Sequence, residues 1–191
     1  SESLWLRSVK KAGLKLIGEA QFILPKLRDW GVKLIGITGT NGKTSMTLFY
    51  AWVLKRIKIP ATACGNIGYS LGAYAHDLLK EFFKQQGSIK EESLIGAFSD
   101  RVAAIELSSY QLEHLEGAFF EEGAILNFSC DHLARHKTME NYAIAKGRLT
   151  FCMKKGKQAY VSKAYAKQYS KALAPSFEML EPKTVKLELL S

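Results

Sequence analysis

Residues 32–44 read VKLIGITGTNGKT, an apolar run that passes directly into a loop of glycines and small polar residues. The nearly continuous apolar character of residues 32–38 is typical of a strand buried on both faces of a parallel sheet. Residues 44–57 then place apolar side chains at helical spacing, which predicts a helix directly after the loop. A strand, a glycine-rich loop and a helix in this order predict an α/β fold whose loop binds phosphate.

The loop itself consists of Gly39, Thr40, Asn41, Gly42, Lys43 and Thr44. Its glycines let successive backbone N–H groups point at phosphate oxygens, while the lysine can reach the terminal phosphates and the threonine hydroxyl can bind Mg²⁺. The general form of this loop has a further glycine where this chain has Ile37, so the beginning of the loop departs from the common pattern. The simpler alternative is a strand-to-helix turn with a solvated lysine.

Outward from the loop, apolar runs alternate with segments of helical periodicity. Strands are predicted over residues 14–17, 61–64, 102–107, 124–128 and 159–162, and helices over residues 4–12, 71–83, 138–153 and 164–173. The polar residues 85–100 are expected to form a surface excursion. Strands that alternate with helices predict a doubly wound, mostly parallel sheet flanked by helices, with ligands at the carboxyl ends of the strands.

The composition is that of a folded domain. Of the 191 residues, 47% are hydrophobic and 24% are charged, which excludes disordered and collagen-like chains. No run approaches the ~18–20 apolar residues of a membrane span and no signal peptide is recognisable, so we expect a cytoplasmic protein without a membrane partner. Cys64, Cys130 and Cys152 form no CxxC pair, which indicates free thiols.

The charge is skewed, because 27 Lys and Arg outnumber 18 Asp and Glu and give a formal net charge of +9. Eight of these bases lie between residues 141 and 177 in a stretch without any acid, which leaves the rest of the chain near neutral. Tyrosines lie in the same stretch, so a nucleic-acid-binding surface stays open as an alternative. Its helical pattern, with the lysines on a solvated face, and the phosphate loop argue against that alternative.

Polar side chains follow two of the predicted strands. Glu106 lies at the end of the run 102–107, where a carboxylate can hold Mg²⁺ beside the loop; the alternative is a solvated acid at a strand end. Three small polar residues follow it and suit a polar ligand: Ser108, Ser109 and Gln111. Asn127 ends the next strand and is followed by Asp131 and His132. These side chains indicate a second site for a cation or a phosphate; the alternative is that His132 is an ordinary loop histidine.

Lys146 is placed unusually. At helical spacing it falls on the apolar stripe formed by Met139, Tyr142, Leu149 and Met153. A lysine there must extend to solvent, pair with an acid or lose its proton. We expect it to extend to solvent, while a neutral amine could also react with CO₂ to give a carbamate that binds a cation.

Five strings of this chain together resemble one family, the ATP-dependent Mur ligases of peptidoglycan synthesis. They are GTNGKT at residues 39–44, GNIG at 65–68, ELSSYQLE at 106–113, NFSCDHLARH at 127–136 and MENYAIAKGRLTF at 139–151. The resemblance is strongest to the members that add D-glutamate. It has three departures: Ala134 replaces the usual aspartate, residues 85–100 are longer than expected, and no residues that hold adenine are recognisable.

The resemblance implies a ligase that phosphorylates the carboxylate of UDP-N-acetylmuramoyl-L-alanine with ATP and joins D-glutamate to the acyl phosphate. The implied catalytic residues are Lys43, Glu106, His132 and Lys146. The residues implied to bind ATP are Gly39, Thr40, Asn41, Gly42, Lys43, Thr44 and Asn127, and those implied to face the substrate are Asn66, Ser108 and Gln111. Two Mg²⁺ ions would be held by Thr44, Glu106, His132 and a carbamylated Lys146.

The family has three domains, so the chain is expected to be a piece of a longer monomeric protein and inactive alone. Residues 1–30 would link a missing N-terminal domain to an ATP-binding central domain at residues 31–191, with the C-terminal domain absent. The expected partners are the small-molecule substrates and the flanking domains, and no nucleic acid. Two alternatives stay open: another Mur-type or folylpolyglutamate-synthase-type ligase, or a non-catalytic nucleotide- or nucleic-acid-binding module.

Overall fold

A computed structural model of the chain describes residues 8–9, 11–14, 16–175 and 177–180. Its centre is a six-stranded sheet in which all paired strands are parallel and whose order is β2-β3-β1-β4-β5-β6. The strands are β1 (Lys33–Thr38), β2 (Ala61–Gly65), β3 (Val102–Glu106), β4 (Glu122–Ile125), β5 (Ala159–Ser162) and β6 (Phe177–Leu180). The predicted doubly wound parallel α/β fold is therefore confirmed.

Helices connect these strands. They are α1 (Glu19–Asp29), α2 (Lys43–Arg56), α3 (Leu71–Gln86), α4 (Glu91–Leu94), α5 (Ser109–Leu112), α6 (Leu133–His136), α7 (Met139–Phe151) and α8 (Lys163–Gln168), with a 3₁₀ turn at Ser170–Ala172. Within the described part of the chain, no helix is both long and apolar enough to cross a membrane.

The core lies on both faces of the sheet because side chains alternate along each strand. Leu34 of β1 and Ile105 of β3 belong to the larger cluster, together with buried residues of α1, α3 and α7. Their neighbours Ile35 and Ala104 belong to a smaller cluster on the other face, where Ala51 of α2 packs. The phosphate loop thus joins a strand in the middle of the sheet to a helix packed on one face.

Most predicted elements are confirmed, and the differences lie where pairing or packing is not local. The strand predicted over 124–128 ends at Ile125, because its partner β1 ends at Thr38 and turns into the loop. The helix predicted over 164–173 is broken near Tyr169, whose ring packs on the Phe128 ring with centroids 4.9 Å apart. These contacts join residues far apart in sequence.

Two elements were missed and two predictions were wrong. Helix α1 contains Pro25, which obscures its pattern, yet it buries Ala20, Leu24 and Leu27 in the core; the sixth strand, Phe177–Leu180, was also missed. Residues 14, 16 and 17 form no strand and are exposed. The excursion 85–100 is not confined to the surface, because Leu94 and Phe98 are buried.

Two further predictions fall wholly or partly on residues outside the described part. In the helix predicted over residues 4–12, residues 8, 9 and 11 are helical, and the remainder is mostly not described. Residues 185–190 (VKLELL) alternate between apolar and charged side chains, a pattern typical of a strand, and they lie outside the described residues.

Gly147 lies where α7 closely approaches the 3₁₀ turn. A Cβ atom there would lie 2.0 Å from the Ala172 carbonyl oxygen. Gly147→Ala is therefore expected to lower the free energy of unfolding by about 3 kcal/mol through overpacking, measured by denaturant unfolding. The control Ile144→Ala, at an exposed position of the same helix, should change it by less than about 0.5 kcal/mol. Equal stability of both variants would contradict this close packing.

Candidate functional site

The phosphate loop leaves β1 at the carboxyl edge of the sheet and passes into α2. Gly42 precedes the helix with φ of 75°, a left-handed conformation that glycine adopts without strain. The ammonium of Lys43 donates a hydrogen bond to the Thr40 carbonyl at 2.9 Å. This holds the lysine against the loop, at the helix N-terminus where an anion would be stabilised.

Glu106 connects the loop to the neighbouring strands. It ends β3 beside Ile37 of β1 and Gly65 of β2, and it is 2% exposed. The Thr44 hydroxyl donates to one carboxylate oxygen at 2.6 Å, and the Asn66 side-chain amide donates to the other at 3.1 Å. The alternative of a solvated acid is therefore wrong, because the carboxylate is buried between the loop and the residue that follows β2.

Asn127 supports the loop from the other side. Its side-chain oxygen accepts hydrogen bonds from the backbone N–H groups of Thr40 at 3.0 Å and Asn41 at 2.8 Å. Its NH₂ group donates to the Asn41 carbonyl at 2.9 Å. The amide is thus bonded to the loop backbone through both its oxygen and its NH₂ group, and direct contact with ATP stays a prediction.

Lys146 is buried, with 1% of its surface exposed. Its ammonium donates to the Gly39 carbonyl at 2.8 Å and lies 4.7 Å from the centroid of the Tyr142 ring. The expectation that this side chain reaches solvent is wrong, because the loop carbonyl holds it inside. Burial first, and then the charge of Lys43, lower the pKa of Lys146 to about 7, while Asp131 and Glu106 oppose the shift.

His132 directly precedes α6, at the N-cap position, with φ of 53°. Its ring is about two-fifths exposed, at 41%, and its Nε2 atom lies 3.4 Å from a carboxylate oxygen of Asp131. The ring centroid is 5.9 Å from that of Tyr142, the ring on which the Lys146 ammonium also lies. His132 therefore contacts the same ring as Lys146 and is accessible from solvent.

Ser108 and Gln111 follow Glu106 at the same edge of the sheet, but their side chains engage each other. The Gln111 side-chain oxygen accepts from the Ser108 backbone N–H at 2.9 Å and from its hydroxyl at 3.0 Å. This is a capping box that begins the short helix α5. Contact of Ser108 and Gln111 with the substrate stays a prediction. It requires the hydrogen bonds between these two residues to break, or their polar atoms to bond to the substrate at the same time.

The structure connects the predicted catalytic residues through one chain of contacts around the loop. The Thr44 hydroxyl is hydrogen-bonded to Glu106, and carbonyl groups of the loop accept hydrogen bonds from Lys43 and Lys146. The Tyr142 ring contacts both the Lys146 ammonium and the His132 ring. Sequence reasoning treated Tyr142 only as part of an apolar stripe, although its hydroxyl lies 3.4 Å from that of Thr40. It also missed the buried His136, for which the spacing of four residues from His132 was the available signal.

The comparisons with known proteins agree with this geometry. The family described as the Mur ligase middle domain matches residues 37–181, which include the loop, Glu106, His132 and Lys146. The chain belongs to the Mur ligase family. Its structure also resembles that of a UDP-N-acetylmuramoyl-L-alanyl-D-glutamate–2,6-diaminopimelate ligase, with a TM-score of 0.54 and 25% identity over 91% of this chain and 34% of that chain.

Two curated relatives of the chain are named UDP-N-acetylmuramoylalanine–D-glutamate ligase. The relative from Protochlamydia amoebophila is 35% identical over 73% of this chain, and that from Prochlorococcus marinus is 40% identical over 70%. The matched region is 27% and 25% of those proteins' own lengths. The chain therefore spans about a quarter of the length of the relatives it matches.

The residues of this Mur ligase domain fit one Mg²⁺ site. Within the described residues, no group of three or more His, Cys, Asp or Glu side chains is arranged to hold a metal. Mg²⁺ is nevertheless commonly held by one or two protein oxygens with water and substrate phosphates, and Thr44 and Glu106 supply adjacent oxygens. A second ion beside His132 fits only if Lys146 loses its positive charge, because an ammonium repels a cation.

Basic residues of the stretch 141–177 do not form one uniform surface. Lys154 and Lys157 both pair with Glu121, and Arg148 pairs with Glu116. Lys146 is buried in the site. These acidic partners argue against a continuous cationic groove for nucleic acid, and the absence of a nucleic-acid partner stays a prediction.

Proposed function

We propose that this chain is the ATP-binding central domain of a UDP-N-acetylmuramoylalanine–D-glutamate ligase. The observation that carries the proposal is the buried carboxylate of Glu106, which accepts hydrogen bonds both from Thr44 of the phosphate loop and from Asn66 after β2. This carboxylate links the phosphate-binding part of the site to the part proposed to face the substrate. The names of the curated relatives support the amino acid that is added.

In the proposed reaction, a carboxylate oxygen of UDP-N-acetylmuramoyl-L-alanine attacks the γ-phosphorus of ATP, and ADP leaves. The loop N–H groups and the α2 N-terminus would hold the phosphates. Lys43 would turn from the Thr40 carbonyl to a phosphate oxygen and so reduce the repulsion between the two anions. Thr44 and Glu106 would hold Mg²⁺, which supplies further neutralisation of the phosphate charge when bound.

In the second step, the amine of D-glutamate attacks the carbonyl carbon of the acyl phosphate. The C–N bond forms, phosphate leaves from the tetrahedral intermediate, and the amine loses a proton. Asn66, Ser108 and Gln111 would orient the muramoyl substrate at the carboxyl ends of β2 and β3. The direct roles of these residues are to be tested in the complete protein.

A carbamate on Lys146 would complete the second cation site. The neutral amine attacks the carbon of CO₂, and the product loses a proton to become an anion. The lowered pKa of Lys146 supports this proposal because it provides a neutral amine near pH 7. His132, whose ring packs on the same Tyr142 ring, would be the second protein ligand.

We place residues 31–191 in the central domain, with 1–30 leading into it from a preceding domain, and we propose that the protein acts as a cytoplasmic monomer. The packing of α1 in the core means that the last part of 1–30 is anchored to this domain. The supply of ATP and UDP-linked substrates supports the cytoplasmic assignment.

The test is ligation by the full-length protein that contains this chain. With ATP, Mg²⁺ and UDP-N-acetylmuramoyl-L-alanine, it should incorporate labelled D-glutamate and release equal amounts of ADP and phosphate. Lys43→Ala is the control and should be inactive. Glutamate transfer to a folate, or addition of another amino acid in preference to D-glutamate, would refute the proposed substrate and favour another ligase of the superfamily.

A further inference from the structure

His136 is a buried polar residue to which the proposed reaction gives no role. It is 5% exposed, and its Nε2 atom lies 2.9 Å from the hydroxyl oxygen of Ser109, which is 1% exposed. A buried hydroxyl that loses its partner is destabilised, because water cannot replace the hydrogen bond. The hydrogen bond between His136 and Ser109 therefore holds two segments of the chain together, because separating them would leave a buried polar group without a partner.

Two aromatic rings fix the orientation of the His136 imidazole. The Tyr110 ring stacks on it at a centroid distance of 5.7 Å, and the Tyr142 ring packs on it at 5.1 Å. Burial lowers the pKa of His136, which favours the neutral ring. The neutral imidazole therefore contributes to the packing of this region through its hydrogen bond to Ser109 and its contacts with the two rings.

The two segments joined by this contact carry different parts of the proposed site. Ser109 and Tyr110 belong to α5, which begins at the capping residue Ser108. His136 ends α6, which His132 directly precedes as the N-cap residue. An ion pair also connects these segments at the surface, where the Arg135 guanidinium lies 3.0 Å from a carboxylate oxygen of Glu113.

We infer that His136 is a positioning residue that, through Ser109 and Tyr110, fixes the substrate-facing turn 108–111 against the segment 132–136. This inference rests on the proposed function for the identity of the substrate. The loop 39–44 is hydrogen-bonded directly to Asn127 and Lys146 and reaches His136 only through the Tyr142 ring, so the position of the bound nucleotide should depend far less on His136. Loss of the His136 contact should therefore weaken binding of the muramoyl substrate and leave ATP binding nearly unchanged.

The test compares His136→Phe, which keeps a ring but removes the hydrogen bond, with His136→Gln, which keeps a polar atom near the position of Nε2. In the full-length enzyme, His136→Phe should raise the KM for UDP-N-acetylmuramoyl-L-alanine about ten-fold, because substrate binding must then order the turn 108–111 that the lost hydrogen bond held in place. The KM for ATP and kcat should change by less than about two-fold, and His136→Gln should restore most of the affinity. Ser109→Ala should raise the same KM, and the double variant Ser109→Ala/His136→Phe should show less than the product of the two effects.

Glu113→Gln is the matched control, because it breaks the exposed tie between the same segments and should change the KM by less than about two-fold. Amide hydrogen exchange of the chain itself provides a readout without substrate: His136→Phe should accelerate exchange in α5 and leave the loop 39–44 unchanged. Unaltered exchange in α5, or equal rises in both KM values, would overturn the inference. Faster exchange in α5 together with a wild-type enzyme that does not ligate D-glutamate would refute the proposed function and leave the positioning link in place.

Discussion

Lys146→Ala in the full-length enzyme is expected to lower kcat by about 10²–10³-fold, the effect of removing one electrostatic group from a preorganised site. The buried Lys146 ends at the Gly39 carbonyl, inside the loop that would hold the phosphates. Alanine removes both the amine and the proposed carbamate and leaves a space beside Tyr142. Because acetate or formate can place a carboxylate in that space, millimolar amounts should partly restore ligation, measured at constant ionic strength.

Lys146→Arg is the control that separates a positive charge from a carbamate. Arginine keeps the charge, but its guanidinium stays protonated and does not react with CO₂, so this variant should be inactive and insensitive to acetate. Full activity of Lys146→Ala without acetate would rule out the carbamate. Rescue by chloride at the same concentration would attribute the effect to salt.

The carbamate should also depend on pH in a defined direction. The pKa of Lys146 is lowered to about 7, so the amine is mostly protonated below that pH and mostly neutral above it. At a fixed concentration of dissolved CO₂, the carbamate signal in ¹³C NMR should therefore rise as the pH passes upwards through about 7. A signal that falls over this range, or that persists in Lys146→Ala, would contradict the assignment.

The fold was largely predictable because its main signals are local. The run before the loop and the run that ends at Glu106 are continuous apolar strands, and strand pairing in the structure joins them directly. Errors arose where a boundary depends on a partner distant in sequence. The end of β4 is set by the end of β1, and α1 was missed because Pro25 masks a helix that tertiary packing stabilises.

The site was predictable in its residue types and only partly in its contacts. The phosphate loop and Glu106 could be located because glycines and a strand-end acid are recognisable in sequence. That Lys146 lies on the apolar stripe of α7 also followed from helical spacing, although its side chain was expected to extend to solvent. Its partner did not, because the Gly39 carbonyl lies 107 residues away and no spacing rule connects them. The same reason hid the contact between His136 and Ser109.

Glu106→Gln is expected to separate activity from stability. The glutamine keeps the size of the side chain but removes the charge that would hold Mg²⁺ with Thr44, so kcat should fall about 10²-fold or more and the Mg²⁺ requirement should rise. The free domain should remain about as stable as the wild type, because weaker hydrogen bonds from Thr44 and Asn66 are offset by the lower cost of burying an amide in place of a carboxylate. Asn66→Ala is the matched control: it removes one hydrogen bond to the same group and should lower kcat far less.

Magnesium titrations of the ligation rate measure the effect on activity, and denaturant unfolding measures the effect on stability. A Glu106→Gln enzyme with the wild-type Mg²⁺ requirement would contradict the metal role of Glu106, and a strongly destabilised one would assign the carboxylate to holding the loop and β2 together.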